Sequence, residues 1–306
     1  GLRMCQPAPA RAISMVRPSR VSATSVISSN RAPTSARSTK SFVGVTSAFE
    51  LASDGHEVTV FERRSSVAEE TSFANAGVIA PGYVTPWSAP GMPSKVLRHL
   101  WSRHAPVRLA RPMASGQLGW LWQWWRACKA STYSSNRAAM HSLAQYSHQR
   151  LRSISHDLRL DYEQAAGYLI LLRSGQELKL ARAGLKLLAE LGVNFHLIDG
   201  AKARAIEPGL NPDTPLQAAV HLPDDEVGNC RQFAHLLRTE AQRLGANFKF
   251  LRDVQALSPG LQPKVRHRAM GQSAESVTDT FDAVVVCAAM GARSLLASLG
   301  CRLPLM

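Results

Sequence analysis

The sequence predicts an α/β protein, and three observations carry that reading. From Ser41 onward, helical stretches alternate with short β-branched runs, the pattern of strands covered by helices. Gly44 opens a helix-strand unit that ends in Glu62, a carboxylate at a strand tip. The composition, 45% hydrophobic and 19% charged in 306 residues, is that of a globular chain. A chain of that length buries roughly 75% of its unfolded surface.

Residues 1–40 stand apart. They hold six Arg, one Lys and no acidic residue, and they are rich in Ser and Ala without either periodicity, so a disordered basic leader is expected. That segment supplies half of the net charge of +14. Its composition resembles an organellar transit peptide, and a mistaken upstream reading or an extended start gives the same bias. The chain opens on Gly1 and stops at Met306 soon after a helix, so an incomplete product is expected.

Past the leader, a helix is predicted over 43–53 and ends at Gly55, whose missing Cβ suits the left-handed position beyond a helix terminus. Glu57-Val58-Thr59-Val60-Phe61 then reads as a strand, and a Gly/Pro-containing loop runs from Ser65 to about Pro93. Helices are expected at 94–103, 116–129 and 134–159, followed by a strand over 162–172. Beyond it, helices at 175–191 and 229–244 alternate with strands near 194–198, 217–222, 247–251, 263–269 and 276–288.

Several function classes recede on composition alone. Every apolar stretch is interrupted by Arg, Lys, Gln or His before it reaches the length a membrane-spanning helix needs. The five cysteines are scattered and form no CxxC pair, which argues against a disulfide framework and a zinc site and for a reducing compartment. No metal site is expected. His104, His141, His148 and His156 lack ligand spacing and read as exposed helix histidines. A nucleic-acid surface would interleave aromatic residues with base, and the basic leader contains no Phe, Trp or Tyr, so no nucleic-acid partner is expected.

The unit from Val43 to Glu62 has the order of the second part of a dinucleotide-binding βαβ fold. There, a carboxylate at the tip of the second strand accepts hydrogen bonds from both ribose hydroxyls, about 20 residues beyond a glycine loop. Gly44 takes the place of the third glycine, which permits close helix–strand packing. The first two would fall at Thr39 and Ser41, and no hydrophobic first strand precedes them in SSNRAPTSARSTK. On residue types alone this is half a fingerprint, and a surface helix and strand without a ligand explains it equally.

From about Val43 to Leu305 the sequence resembles the FAD-dependent D-amino acid dehydrogenases (small subunit) of the D-amino acid oxidase-like flavoproteins. The resemblance rests on GVTSAFELASDGHEVTVFERR (44–64), ETSFANAGVIAPGYVTPWSAPGMP (70–93), RHAPV (103–107), LPDDEVGNCRQF (222–233) and FDAVVVCAAMGA (281–292). It implies a Rossmann-like FAD-binding domain whose first strand is missing here, formed by 41–93 and 205–306. A mixed-sheet substrate domain, 94–204, is interleaved with it. Carried over residue by residue, Gly44 packs near the pyrophosphate, Glu62 holds the adenosine ribose and Arg63 lies next along the cofactor. Ser72, Asn75, Ala76 and Gly77 sit in a loop passing the pyrophosphate and flavin, where small residues allow close approach. Val254 offers its main chain to the adenine, and the strand ending at Ala289 and Gly291 leaves room for the dinucleotide.

The implied reaction is oxidation of a D-amino acid to its imino acid, which hydrolyses to a 2-oxo acid and ammonia, with electrons passed to a respiratory acceptor. The cofactor does the hard step, so no acid–base dyad is demanded and no catalytic residue is assigned. Two rivals stand beside it: a truncated remnant without flavin, and a related flavin enzyme acting on glycine or sarcosine. The implied location is the cytoplasm or the inner face of a bacterial inner membrane, with peripheral membrane association, or an organelle if the leader is a transit peptide. The six tryptophans between Trp87 and Trp125 favour core or interdomain packing over a membrane-facing patch. Asp224, Asp225 and Glu226 favour capping of the helix near Asn229 over lining a substrate entrance.

Overall fold

A computed structural model describes residues 20–24, 41–70, 72–99, 115–271, 275–301 and 303. In chain order its elements begin with β1 (Arg20–Thr24), α1 (Ser41–Ser53), β2 (Glu57–Phe61), β3 (Val78–Ile79), α2 (Met92–His99), α3 (Ser115–Ala127) and α4 (Ala130–Asp157). They continue with β4 (Ala165–Leu172), α5 (Gly175–Glu190), β5 (His196–Ile198), α6 (Gly200–Ile206), β6 (Ala218–Val227), α7 (Cys230–Arg243) and β7 (Asn247–Lys249). The last are β8 (Arg252–Ser258), β9 (Lys264–Ala269), β10 (Val277–Thr280), β11 (Ala283–Val286) and α8 (Ala292–Ala297). The α/β class is as expected.

Packing divides the chain into two units, one holding residues up to Ala74 and from Ala234 to Leu305, the other holding Asn75–Phe233. The boundaries expected from sequence, 93/94 and 204/205, lie elsewhere because β3 and β6 pair with each other and so keep 75–93 and 218–227 with the second unit's sheet.

The first unit is built on a four-stranded sheet of order β11-β1-β2-β7, with all pairs parallel. This corrects the expectation of a missing first strand in a disordered leader. A short piece of the leader forms the strand between β2 and β11, with Ser22 opposite Thr59 on one side and Val284 on the other. The connection from β1 through α1 to β2 runs to one side of β1 while β11 pairs on the other, so a topological switch point lies at the carboxyl ends of β1 and β11. Residues 25–40 between β1 and α1, including Thr39, lie outside the described residues, and Ser41 opens α1.

A three-stranded antiparallel sheet of order β10-β9-β8 completes this unit. The 276–288 stretch, expected as one strand, is two, because Phe281-Asp282 breaks it and each half joins a different sheet. Phe61, Val254, Leu257, Val265, Phe281, Ala288 and Leu295 form a single buried cluster that ties the two sheets and α8 together. Burying each such large aliphatic or aromatic side chain contributes about 1.5–3 kcal/mol.

In the second unit β6 is central. It pairs antiparallel with β4 along most of its length, with β5 at residues 219–221 and with β3 at its end. The strand expected from Tyr162 begins at Ala165, after Glu163 has taken a left-handed φ of 58°. On one face of this sheet α5 packs through Leu178, Leu185 and Leu188 against Leu172, Val220 and Leu222. The tryptophans of α3 are not core residues. Trp122 is 54% and Trp125 59% exposed, and the Arg126 guanidinium lies 4.6 Å from the Trp122 ring centre. The period of α3 explains this: Leu121, Trp124 and Ala127 recur on its half-buried side, whereas Leu118, Trp122 and Trp125 line up at helical spacing on the open side. Trp101 and His104 lie outside the described residues. No described helix is long and apolar enough to cross a membrane.

Candidate functional site

The carboxyl edge of the parallel sheet gathers the expected cofactor residues of the first unit. Val58, Val60 and Phe61 of β2 are buried, and the chain leaves that strand at Glu62, which is itself only 3% exposed. Glu62 Oε1 accepts the Arg64 main-chain N–H at 2.9 Å, and the Glu62 N–H donates to the Lys249 carbonyl at 3.0 Å. These bonds set the carboxylate at the strand tip. On the far side of β1, β11 ends at the same edge and runs into Cys287, Ala288 and a 3-10 turn over Ala289–Gly291. Ala289 holds a left-handed φ of 45°, a conformation that costs an ordinary residue about 1–2 kcal/mol. Such strain stays only where the surroundings impose it.

Gly44 is buried in α1, and Ser47 one turn later reaches Cys287 with Oγ and Sγ 3.9 Å apart. That contact seats the helix against the end of β11. Burial pushes the Cys287 thiol above its ordinary pKa, which keeps it uncharged in this position. Val254 is 1% exposed in β8, whose start is held to the chain leaving β2 by Arg252 N–H to the Glu62 carbonyl, 2.9 Å, and Leu251 N–H to the Arg64 carbonyl, 3.1 Å. Those two bonds bring Glu62, Arg63 and Val254 together, although most of the chain separates them in sequence. The pairing of β8 with β9 shifts register between Val254 and Ala256, and Val254 is the last residue paired before that shift. Sequence reasoning had not drawn a strand over 252–258, nor singled out Asp253. Burial raises the Asp253 carboxyl pKa against the opposing pull of Arg63 and Arg268.

Ser72 is buried in the first unit at 4% exposure, whereas Asn75, Ala76 and Gly77 belong by packing to the second. Asn75 Oδ1 accepts the Gly77 N–H at 2.8 Å, closing a local turn, so its carbonyl oxygen is engaged within the loop. Gly77 has φ 69°, and a Cβ there would stand 2.5 Å from the Gly228 carbonyl oxygen. The Gly228 N–H in turn donates to the Gly77 carbonyl at 2.8 Å. Glycine is required here for backbone pairing with the end of β6, a sufficient reason for it apart from any ligand.

Two further expectations change. Asp224, Asp225 and Glu226 do not cap α7; they end β6, and Asn229 is the cap, its Oδ1 accepting the Gln232 N–H at 3.1 Å. His148 is not an exposed helix residue but a buried one, at 7% exposure. Among the described residues, no group of three or more His, Cys, Asp or Glu is arranged to hold a metal ion.

The arrangement suits the adenosine half of FAD. A nearly buried carboxylate stands at the tip of β2, the switch point lies beside it, and β8 adjoins. The phosphate end departs from the usual cradle, since no glycine occurs between Gly1 and Gly44 and the whole segment 25–40 separates β1 from α1.

Comparison with solved structures finds the same fold. Glycine oxidase from Bacillus cereus superposes with a TM-score of 0.59 at 16% identity, over 92% of this chain and 58% of that one. L-proline dehydrogenase from P. horikoshii gives 0.53 at 17%, over 92% and 56%. L-amino acid deaminase from Proteus myxofaciens gives 0.56 at 16%, over 97% and 51%. The chain thus spans a little over half the length of these relatives. The profile of the FAD dependent oxidoreductase (DAO) family matches residues 42–306, from the first turn of α1 to the last residue. On that match, which takes in Glu62, the 70–93 loop and the end of β11, the chain belongs to the DAO family of FAD-dependent oxidoreductases.

Proposed function

We propose that this chain is part of an FAD-dependent dehydrogenase that oxidises D-amino acids to imino acids, which water converts to 2-oxo acids and ammonia. The observation that carries the reading is Glu62, nearly buried at the tip of β2 beside the switch point, within a family whose members depend on FAD. D-amino acids rather than other amines are favoured by the ETSFANAG string followed by PGYVTPWSAPG, with its resemblance to the D-amino acid dehydrogenases.

In this reading Glu62 would hold the ribose hydroxyls, the Val254 main chain the adenine, and Gly44, Ala289 and Gly291 the close approach of the dinucleotide. Arg63 and Ser72 would lie along it, with Asn75, Ala76 and Gly77 in the loop beyond. FAD, when bound, supplies the two-electron acceptor. The protein's part is to orient the substrate Cα–H and exclude water. The electrons leave to a respiratory acceptor, and the cytoplasm or the inner face of a bacterial inner membrane is the proposed location. The absence of any glycine between Gly1 and Gly44 favours a second reading, a remnant that no longer binds flavin.

One experiment separates them. The purified chain is examined for flavin absorption, and D-alanine, glycine, sarcosine and L-proline are added in turn without oxygen. Bleaching by D-alanine ahead of the others supports the proposal, and loss of flavin in Glu62→Ala assigns the carboxylate its role. Bleaching only by glycine or sarcosine overturns the D-amino acid assignment. A colourless protein that does not take up added FAD leaves the remnant.

A further inference from the structure

Beyond residue 40 the basic excess of this chain is concentrated in one stretch. Between Glu70 and Asp157 there is no acidic residue, and the same stretch holds ten Lys and Arg together with all six tryptophans. The rest of the chain beyond residue 40 carries 19 Lys and Arg against 22 Asp and Glu, a slightly acidic balance. Positive charge and tryptophan therefore occur together, in the part of the second unit that holds α2, α3 and α4.

The helix α3 brings this combination to the surface. Leu118, 56% exposed, stands four residues before Trp122, and Trp125 follows three residues later, so the three form one outward ridge. The half-buried Leu121, Trp124 and Ala127 take the inward side, which leaves the ridge uncovered. Arg126 is exposed beside it with its guanidinium over the Trp122 ring, and Lys129 is exposed just past the end of the helix. On α2 the exposed Lys95, Leu97 and Arg98 repeat the pairing of base with an apolar side chain. A row of large apolar side chains left to water, bordered by polar groups, marks a surface that another phase or molecule covers.

We propose that the α3 ridge docks this chain on an anionic phospholipid surface, with Leu118, Trp122 and Trp125 entering the headgroup boundary and Arg126 and Lys129 meeting lipid phosphates. A helix with Trp and Leu on one face and base at its margin lies in the plane of a bilayer surface. Tryptophan suits that depth, since its ring favours the apolar side and its indole N–H the wet one. Arg126, stacked on Trp122, carries positive charge to the level of the phosphates. Docking of this kind is attachment without spanning, in keeping with the lack of any described helix long and apolar enough to cross. A second copy would set one acid-free stretch against another, and like charges facing each other oppose that pairing. The inference deepens the location proposed above and uses nothing of the flavin reaction, so a chain without flavin docks equally.

The test is flotation of the full chain, without added flavin, with vesicles of phosphatidylcholine alone and of phosphatidylcholine mixed with phosphatidylglycerol. The chain should bind the mixed vesicles at least about tenfold more tightly than the neutral ones, and raising the salt should weaken that binding by about tenfold or more. Tryptophan emission should shift to the blue and escape acrylamide on the mixed vesicles only. The double variant Trp122→Ser, Trp125→Ser should bind them about tenfold or more weakly, and so should Arg126→Glu, Lys129→Glu. Both should keep the parent's circular dichroism and urea midpoint, because every altered side chain is exposed. The proposal is overturned by equal binding to neutral vesicles, or by undiminished binding of the folded Trp variant, which would assign adsorption to the basic leader. It is overturned equally by a lipid-free dimer in ultracentrifugation that the Trp variant dissociates, which gives the ridge to a second copy, or by no flotation with the mixed vesicles, which leaves it to a protein partner.

Discussion

The strand Arg20–Thr24 gives the sharpest test of the fold. It pairs with β2 through five residues and with β11 through four, so it is bound on both edges. At about 1 kcal/mol net for each backbone hydrogen bond, the two ladders together contribute on the order of 9 kcal/mol. That is comparable with the whole stability of a typical domain, about 5–15 kcal/mol. Replacing Ser22 by proline removes one donor at the centre of the strand, and proline is confined to edge strands for that reason. We expect a local loss of about 1–3 kcal/mol, the cost of the facing carbonyl left unpaired inside the sheet. The assay is amide hydrogen exchange resolved by mass spectrometry, because every tryptophan lies between Trp87 and Trp125 and fluorescence would not report on this unit. Exchange should accelerate by roughly one to two orders of magnitude at 57–61 and 283–286, with 165–172 and 218–227 unchanged. A chain lacking residues 1–24 should lose protection throughout β2 and β11. Unchanged protection at 57–61 in Ser22→Pro would refute the central placement of this strand.

Other expectations follow from single sites. Gly77→Ala should cost about 3 kcal/mol or more in urea unfolding, since it adds a clash with the Gly228 carbonyl to the roughly 1–2 kcal/mol of a left-handed alanine. Gly55→Ala, at φ 84° with open space around it, should cost only the latter. His267 is 3% exposed against Phe61, and burial lowers its pKa despite the Asp279 carboxylate 3.2 Å away. Its neutral form is therefore the folded one, and the stability it contributes is complete above the ordinary value of about 6.5 and declines as pH falls below it. Urea midpoints at pH 7.5 and 5.5 should differ, and His267→Gln should reduce that difference. Trp122 and Trp125 should be quenched readily by acrylamide, and a blue-shifted, unquenched emission would contradict their exposure on α3.

Local pattern made the α/β class, the α1-β2 unit and Glu62 legible, because helix period, strand composition and a carboxylate at a strand tip are all read within one short stretch of chain. The helices α5 and α7 were visible for the same reason. The strand β1 was not. Central parallel strands are covered on both faces and read as continuous apolar runs, whereas Arg-Val-Ser-Ala-Thr alternates polar and apolar residues inside a basic segment. Its partner β11 lies near the other end of the chain, beyond any sequence window. The strand β8 was hidden similarly by the charged and polar residues of Arg-Asp-Val-Gln-Ala-Leu-Ser, and its pairing with β9 outweighs their weak strand preference.

By itself the sequence determined what each segment prefers: where helices start and stop, which strand ends in a carboxylate, and which loop carries small residues. Its 70–93 and 222–233 strings also carried the family resemblance. Only the tertiary structure decided which segments meet. It drew Val254 to Glu62 through two main-chain bonds, placed Ala289 at the same sheet edge, and left Trp122 and Trp125 uncovered. It also buried His148 and Asp225 around one cavity, where a cap and an exposed histidine had been expected. Pairing and burial are long-range outcomes of which surfaces exclude water together, and no window of local preference contains them.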